Sequence, residues 1–214
     1  GRDPRTMNAR TIAYFSMEIA VREDMPTYAG GLGVLAGDTL RAAADAGLPL
    51  TAITLLHRAG YYRQTLDAAG TQHMRPESWS PEAVLEPLDL RVALTLEGRR
   101  VLLRPWCYRI DGLGGTVPVY FLDTDLPEND PADRALCRQL YASDPGARLR
   151  QEAVLGIGGV RVLRALGLAS LRAYHMNEGH SALLAAELLR EIAPEGVLGA
   201  DDVERVRERC VFTT

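Results

Sequence analysis

The stretch Thr11–Leu56, TIAYFSMEIAVREDMPTYAGGLGVLAGDTLRAAADAGLPLTAITLL, decides the fold class of this chain. Thr11–Phe15 is short and apolar, as is typical of a buried strand, and Leu50–Leu56 has the same character. Between them, Val34–Ala46 is predicted to be a helix that ends at Gly47. Strand, helix and strand in this order form a βαβ unit, which indicates parallel strands joined by a right-handed crossover.

Beyond this unit the hydrophobic pattern changes twice. Short alternating stretches from Tyr61 to Leu122 predict antiparallel or mixed strands. Helical periodicity then returns, and apolar residues three apart predict a largely buried helix that ends at Gly167: Val154, Ile157, Val160, Leu163 and Leu166. The last predicted elements are a strand, two helices and a strand: Leu171–Met176, Ser181–Ile192, Asp201–Arg209 and Cys210–Thr214.

These elements predict one α/β domain over residues 11–214, with a mainly parallel sheet and an inserted β-rich section. Residues 1–10 have no apolar segment and are expected to be a tag or a disordered start. The last strand stops where a loop should begin, so we expect the sequence to be truncated there.

Composition excludes several classes of function. The chain is 47% hydrophobic and 24% charged, with a formal net charge of -4, which argues against a dedicated nucleic-acid binder. All 24 basic residues are arginine, so no side chain can form a Schiff base or serve as a Walker A lysine. Three cysteines without a CxxC pair predict reduced thiols in a cytoplasmic protein, and no apolar run is long enough to span a membrane.

The glycine loop Gly30, Gly31 and Gly33 lies between a predicted strand and a predicted helix. Its backbone N–H groups can converge at the positive end of the helix dipole, which favours phosphate. Glycine would also permit a positive φ and a close backbone approach. A tight turn without a ligand is the alternative, although ligands bind in α/β sheets at the carboxyl ends of strands.

A second glycine run, Gly156–Gly159, also resembles a phosphate loop. It lies inside the strongest helical pattern of the chain and does not follow a strand. Close helix packing is therefore the better interpretation.

The segment His175–His180 joins a predicted strand to a predicted helix, again at the carboxyl edge of the sheet. A ligand site is expected there, and a capping role for Asn177 beside a structural histidine is the alternative. We expect no metal, because the two histidines lack the i, i+4 spacing of zinc helices and a clear third ligand. Asp123–Asp130 is rich in oxygen ligands but lacks the glycine and glutamate of a calcium loop, so a solvated turn is predicted.

Five motifs together resemble the short-form bacterial and archaeal α-glucan phosphorylases. They occur in the family's order and cover nearly the whole chain from residue 11: Tyr14–Ile19 (YFSMEI), Tyr28–Asp38 (YAGGLGVLAGD), Gly60–Gln64 (GYYRQ), Arg148–Glu152 (RLRQE) and Asn177–His180 (NEGH). The resemblance implies a GT-B glycosyltransferase, of which this chain would be the amino-terminal Rossmann-like domain.

In that family the reaction is phosphorolysis of an α-1,4-glucan by inorganic phosphate, which gives α-glucose 1-phosphate. The resemblance implies pyridoxal phosphate as cofactor, acting through its phosphate group and held by a carboxy-terminal half that this sequence lacks. The chain alone is therefore expected to be inactive and to bind no cofactor covalently. A homo-oligomer is left open.

The resemblance also implies residue roles. Gly30 and Gly31 match the glycines whose amides meet the substrate phosphate, with Gly33 in the same loop. His180 matches the catalytic-site histidine that contacts the glucosyl unit. The other matches to substrate-facing positions are Asn177, Glu178 and Glu18.

Two other classes of function remain open at this point. One is a GT-B glycogen or starch synthase that uses a nucleotide sugar, whose amino-terminal domain also presents a glycine loop to phosphate. The other is a non-catalytic module that binds glucan or nucleotide.

Overall fold

The computed structural model describes residues 12–77 and 79–214. Residues 1–10, expected to be a tag or a disordered start, lie outside the described residues, as does Thr11. The strands are β1 (Ile12–Phe15), β2 (Leu50–Leu55), β3 (Tyr62–Leu66), β4 (Gln72–Pro76), β5 (Glu86–Pro87), β6 (Val92–Leu96), β7 (Arg99–Asp111), β8 (Thr116–Asp123), β9 (Ala173–Asn177) and β10 (Cys210–Thr213).

The helices are α1 (Gly31–Asp45), α2 (Pro131–Arg134), α3 (Pro145–Ala153), α4 (Gly159–Ala165), α5 (Leu183–Ile192) and α6 (Ala200–Arg207). A π-helical segment, Val154–Gly158, joins α3 to α4. Short 3₁₀ turns occur at Pro81–Ala83 and Gly179–Ser181.

One mixed sheet organises the chain, with the strand order β10-β9-β1-β2-β8-β7-β5 and with β6 paired to β7. Successive strands in the order β10-β9-β1-β2-β8 are parallel to one another. The strand β7 pairs antiparallel with β8 and also with β5 and β6. A separate antiparallel hairpin is formed by β3 and β4. The predicted α/β class, the βαβ unit and the β-rich insertion are therefore confirmed.

The central strands of the sheet are buried on both sides, because an apolar cluster packs on each face. Along β1, Ala13 and Phe15 belong to one apolar cluster while Tyr14 belongs to the other. All six residues of β2 are buried. Such continuous burial is expected for parallel strands with helices on each face.

The predicted buried helix exists, but it is three helical segments, α3, the π-helical segment and α4. It ends before Gly167, whose φ of 81° fits a left-handed helix terminus. The predicted close packing of the second glycine run is also confirmed. A Cβ on Gly156 would lie 2.6 Å from the backbone nitrogen of Leu184, at the start of α5.

Two local predictions are corrected. Helix α1 begins at Gly31, three residues earlier than predicted, so Gly31 and Gly33 lie in its first turn and not in a preceding loop. The Asp123–Asp130 segment is solvated only in part: Glu128 and Asp130 are exposed, but Asp123, the last residue of β8, is 1% exposed and accepts hydrogen bonds from Arg58 (2.8 Å) and the Trp106 indole (3.1 Å). Burial with charged and hydrogen-bonded partners gives that carboxylate a structural role.

Within residues 12–77 and 79–214, every helix is too short or too polar to cross a lipid bilayer.

Candidate functional site

The candidate site lies where β1 and β9 end side by side, with Phe15 paired to Met176 in parallel register. The chain leaving β1 carries Glu18 and leads to the first turn of α1, while the chain leaving β9 carries residues 177–180. Parallel pairing therefore brings together the residues predicted from two distant motifs. This is the edge at which α/β sheets bind ligands.

Glu18 organises this edge and is 3% exposed. Its Oε2 accepts hydrogen bonds from the backbone N–H groups of Ala29 and Gly30, and its Oε1 accepts one from the Tyr141 hydroxyl at 2.7 Å. The Gly30 amide, predicted to face phosphate, is therefore used inside the protein. Glu18, predicted to face substrate, acts in this structure as the group that holds the loop.

Within the part of the chain that the structure describes, the start of α1 carries three amides without internal partners, of which those of Gly31 and Leu32 belong to residues with exposed surface, whereas Gly33 is buried. The N–H groups of Gly31, Leu32 and Gly33 have no hydrogen-bond partner among the described residues, as expected for a helix N-terminus without a capping side chain. They lie at the positive end of the helix dipole. An anion could bind there without displacing an internal contact.

The three glycines of the loop differ in what surrounds them. A Cβ on Gly33 would collide with the Cβ of Tyr28, so glycine is required there by packing. A Cβ on Gly30 or Gly31 would meet nothing within 4 Å. None of the three has a positive φ, so the backbone does not require glycine either. The open side of Gly30 and Gly31 faces space that the described residues leave empty.

Asn177 ties the two halves of the edge together. It is 1% exposed, and its Nδ2 donates to Ser16 Oγ at 3.2 Å and to the Leu32 carbonyl at 3.4 Å. The alternative of a helix-capping Asn177 is not what the structure has, because the cap position of the following turn is Glu178, without a side-chain cap. The buried Oδ1 of Asn177 has no partner within the described part of the chain.

Two of the three non-glycine residues with positive φ in the described part of the chain lie at this edge, the third being Glu97. Glu178 has φ 64° and ψ 178°, a region essentially restricted to glycine. Tyr141, which donates to Glu18, also has a positive φ of 59°. Two strained residues, brought together from separate segments, are typical of functional sites.

His180 is half-buried beside Tyr141 and Arg148. Its Nε2 lies 3.2 Å from Arg148 Nη2, and its ring centroid lies 5.6 Å from that of Tyr141. Burial, and then the positive charge of Arg148, lower the pKa of His180. In the structure's described range, Nδ1 is buried without a hydrogen-bond partner and no cluster of three His, Cys, Asp or Glu side chains could hold a metal.

Sequence reasoning missed Tyr141 as a site residue and gave Arg148 no role beyond its motif. Tyr141 is 123 residues from Glu18 along the chain, so no local pattern links them. Arg148 lies in the first turn of α3, which is capped by Asp144 accepting from the Ala147 amide at 2.7 Å. Gln151, one turn further, holds the preceding segment by donating to the Leu136 and Gln139 carbonyls.

His57 contacts two of the segments that form the site and is fully buried. Its two ring nitrogens face the carbonyl oxygens of Met17 (3.0 Å) and Cys137 (3.2 Å), which flank the segments that carry Glu18 and Tyr141. Burial lowers the pKa of His57 to about 4. The ring is therefore neutral at neutral pH and can donate to only one of the two carbonyls.

No family model matches the chain. Among curated proteins, it is 40% identical to glycogen phosphorylase of Mycobacterium tuberculosis over 95% of this chain and 25% of the relative. It is 38% identical to maltodextrin phosphorylase of Thermococcus litoralis, with the same shares of each chain, and 30% identical to glycogen phosphorylase of Aquifex aeolicus over 96% of this chain and 30% of the relative. Along about 95% of its own length, the chain is therefore a homologue of the glycogen and maltodextrin phosphorylases, and it spans about a quarter of their length.

Proposed function

We propose that this chain is part of an α-1,4-glucan phosphorylase, a glycosyltransferase that uses inorganic phosphate to release α-glucose 1-phosphate from the non-reducing end of a glucan. In this proposal the chain is the amino-terminal Rossmann-like domain of a GT-B fold and forms the wall of the cleft that faces the glucosyl unit and phosphate. The names and identities of the relatives support the reaction class.

The observation that carries the proposal is the open environment of Gly30 and Gly31. Neither backbone conformation nor internal packing requires glycine at these positions, so the missing side chains leave room for something outside the described residues. The unpartnered amides of Gly31 and Leu32 offer hydrogen bonds and a positive dipole end to an anion. Inorganic phosphate, an anion with several acceptor oxygens, fits this arrangement in charge.

The other residues would serve the sugar. His180 would contact the glucosyl unit, and Asn177 and Glu178 would shape the turn on which it lies. Glu18 would act indirectly by holding the glycine loop, since its oxygens already accept hydrogen bonds from that loop and from Tyr141.

The proposed cofactor of the complete protein is pyridoxal phosphate, which supplies a phosphate group for proton transfer when it is bound. This chain has no lysine and so cannot hold that cofactor as an imine. The chain's own part is restricted to binding and orienting the glucan and phosphate. The free thiols Cys107, Cys137 and Cys210 are consistent with a reducing cytoplasm, where we place the protein.

The test uses the full-length protein and maltodextrin. We expect release of glucose 1-phosphate that requires inorganic phosphate, and none from the 214-residue chain alone. Activity driven by ADP-glucose without inorganic phosphate would contradict the proposal and favour a synthase. Maltodextrin binding without turnover under either condition would favour a glucan-binding module.

Gly31→Ala tests the anion site itself. The added methyl group should obstruct the approach of phosphate to the free amides, which weakens charge-assisted hydrogen bonds that are each worth about 1.5–3 kcal/mol. We expect the apparent phosphate affinity to fall roughly tenfold or more. Val34→Ala, an exposed change one turn along α1, is the matched control and should leave phosphate affinity unchanged. Unchanged affinity in Gly31→Ala would reduce the loop to a turn.

A further inference from the structure

The contact between Arg148 and His180 has a consequence for the proton on the imidazole. A guanidinium group has only hydrogen-bond donors, so the ring nitrogen that it approaches must be an acceptor. That nitrogen is Nε2, at 3.2 Å from Arg148 Nη2. The proton of a neutral His180 is therefore on Nδ1.

We propose that Arg148 is a positioning residue that fixes His180 as the neutral Nδ1–H tautomer and thereby sets the orientation of the imidazole at the site. Nδ1 is buried, and no atom of the described residues accepts a hydrogen bond from it. A buried donor without a partner is costly, so we expect the ring to keep this tautomer only while Arg148 donates to Nε2. The contact of the ring with sugar rests on the proposed function.

Arg148 is itself held in place by three features. It lies in the first turn of α3, its Nε lies 3.4 Å from Glu152 Oε1, and its guanidinium carbon is 4.2 Å from the centroid of the Tyr141 ring. The Tyr141 hydroxyl in turn donates to Glu18. A continuous set of contacts therefore runs from the glycine loop to the histidine, and the guanidinium cannot turn away without breaking two of them.

The surrounding charges favour the neutral ring. The groups that act on His180 come from four segments, and they are Arg148, Glu152, Glu178 and Glu18, with Tyr141 packed on the ring. A protonated ring would set N–H against N–H at the Arg148 contact. Removing the Arg148 charge leaves three carboxylates near the ring, which should make protonation of His180 easier.

The direct test is ¹⁵N NMR of the 214-residue chain with labelled histidine, in which four histidines give few signals. His180→Asn assigns the His180 resonances. We expect a protonated Nδ1 and an unprotonated Nε2 at neutral pH. An Nε2–H tautomer in the wild-type chain would overturn the proposal.

Variants on the same helix test the cause. Arg148→Met should shift the ring toward the Nε2–H tautomer, whereas Arg148→Lys keeps a cationic donor and should restore Nδ1–H. Arg150→Met is the matched control, because Arg150 has similar exposure but pairs with Glu97 at 2.9 Å. An equal change of tautomer in Arg150→Met and Arg148→Met would contradict the assignment.

Kinetics of the full-length protein provide an independent readout. In Arg148→Met we expect kcat/KM to fall roughly tenfold, as is common when a contact group is misoriented, and its acid limb to move to higher pH. Arg148→Lys should retain the wild-type limb. Wild-type protein without phosphorolysis would end the proposed function but leave the tautomer result standing, whereas active protein whose limb does not move in Arg148→Met would end this inference.

Discussion

The two glycine runs of the chain have similar sequences and opposite surroundings. A Cβ on Gly30 or Gly31 would meet nothing within 4 Å, whereas a Cβ on Gly159 would lie 2.6 Å from the Phe15 ring and one on Gly156 would lie 2.6 Å from a backbone nitrogen. Glycine in the second run is explained by packing inside the protein. Glycine at the two open positions is not, and that difference separates a candidate binding surface from a structural contact.

The second run also supports the site from a distance. Gly156 lets the π-helical segment approach the backbone of residues 181–184, where the 3₁₀ turn that carries His180 leads into α5. Close packing thus sets the position of the turn from behind. The open run, Gly30 and Gly31, and the packed run, Gly156–Gly159, lie near the same edge of the sheet. The open run faces the proposed ligand, and the packed run contacts the core.

The largest expected effect is in the packed run. Gly156→Ala places a methyl group against the backbone of α5, which cannot move as a side chain does, so we expect the free energy of unfolding to fall by about 3 kcal/mol or more. Gly31→Ala is the matched control and should lower it by no more than about 0.5 kcal/mol. Urea unfolding of both variants measures the contrast.

Equal losses of stability in the two variants would contradict the difference between the packed glycine run and the open one. That outcome would mean that the open space at Gly31 is filled in solution by some part of the protein.

Elements of the fold that have a strong local pattern were predictable from the sequence, and elements without one were not. The β1–α1–β2 unit and the buried helix were predictable because apolar periodicity determines which face is buried. The start of α1 was placed three residues late, since glycines are weak helix formers and Gly31 and Gly33 gave no helical signal. The π-helical segment is invisible to periodicity because it lies within one continuous apolar pattern.

The site was predictable only in part. Glu18, the glycine loop and the residues around His180 follow strands, so their position at the carboxyl edge follows from topology. The partners Tyr141, Arg148 and His57 were not predictable, because they reach the site through tertiary contacts between distant segments. For the same reason the burial of Asp123 could not be seen: its partners, Arg58 and Trp106, belong to other strands or loops.

Acid should affect the two regions differently. The packed run, Gly156–Gly159, rests on apolar contacts, whereas the rim, which consists of the site residues around Glu18, Tyr141 and Asn177, rests on polar ones. The pKa of His57 is about 4 in the folded protein, below its ordinary value of 6.5. As the pH falls from 6.5 toward 4, the unfolded chain takes up a proton that the folded protein does not, so stability is lost over that range. The loss that His57 contributes is at most about 3 kcal/mol.

Urea unfolding between pH 7.5 and 4 measures this dependence. His57→Asn should flatten it relative to the wild-type chain, while His73→Asn, at an exposed histidine, should change it far less. In wild-type protein, the protection of amides against hydrogen exchange, corrected for the slower intrinsic exchange in acid, should fall in residues 16–18 and 137–141 before it does in residues 156–163. An unaltered pH dependence in His57→Asn would show that His57 is not the group that senses acid.

The smallest expected effect is that of replacing Glu178, in the rim, by glycine. Glu178 occupies a conformation that favours glycine, with φ 64°, while Gly30 and Gly31 occupy conformations open to any residue. Its side chain makes no hydrogen bond to the described residues, and its backbone N–H donates to the Thr213 carbonyl at 2.9 Å, a bond that glycine would keep. Glu178→Gly should relieve roughly 1–3 kcal/mol of strain and lose up to about 1 kcal/mol to the greater freedom of the unfolded chain. We therefore expect a net gain in stability of about 1 kcal/mol, visible as a higher urea midpoint, and no gain in Glu178→Ala, which keeps a Cβ in the same conformation.

A gain in stability accompanied by weaker glucan binding would mean that strain is retained at this position because the carboxylate serves the ligand. A loss of stability in Glu178→Gly would instead mean that the glutamate is needed for folding, and the rim would then differ less from the packed run than the glycines suggest.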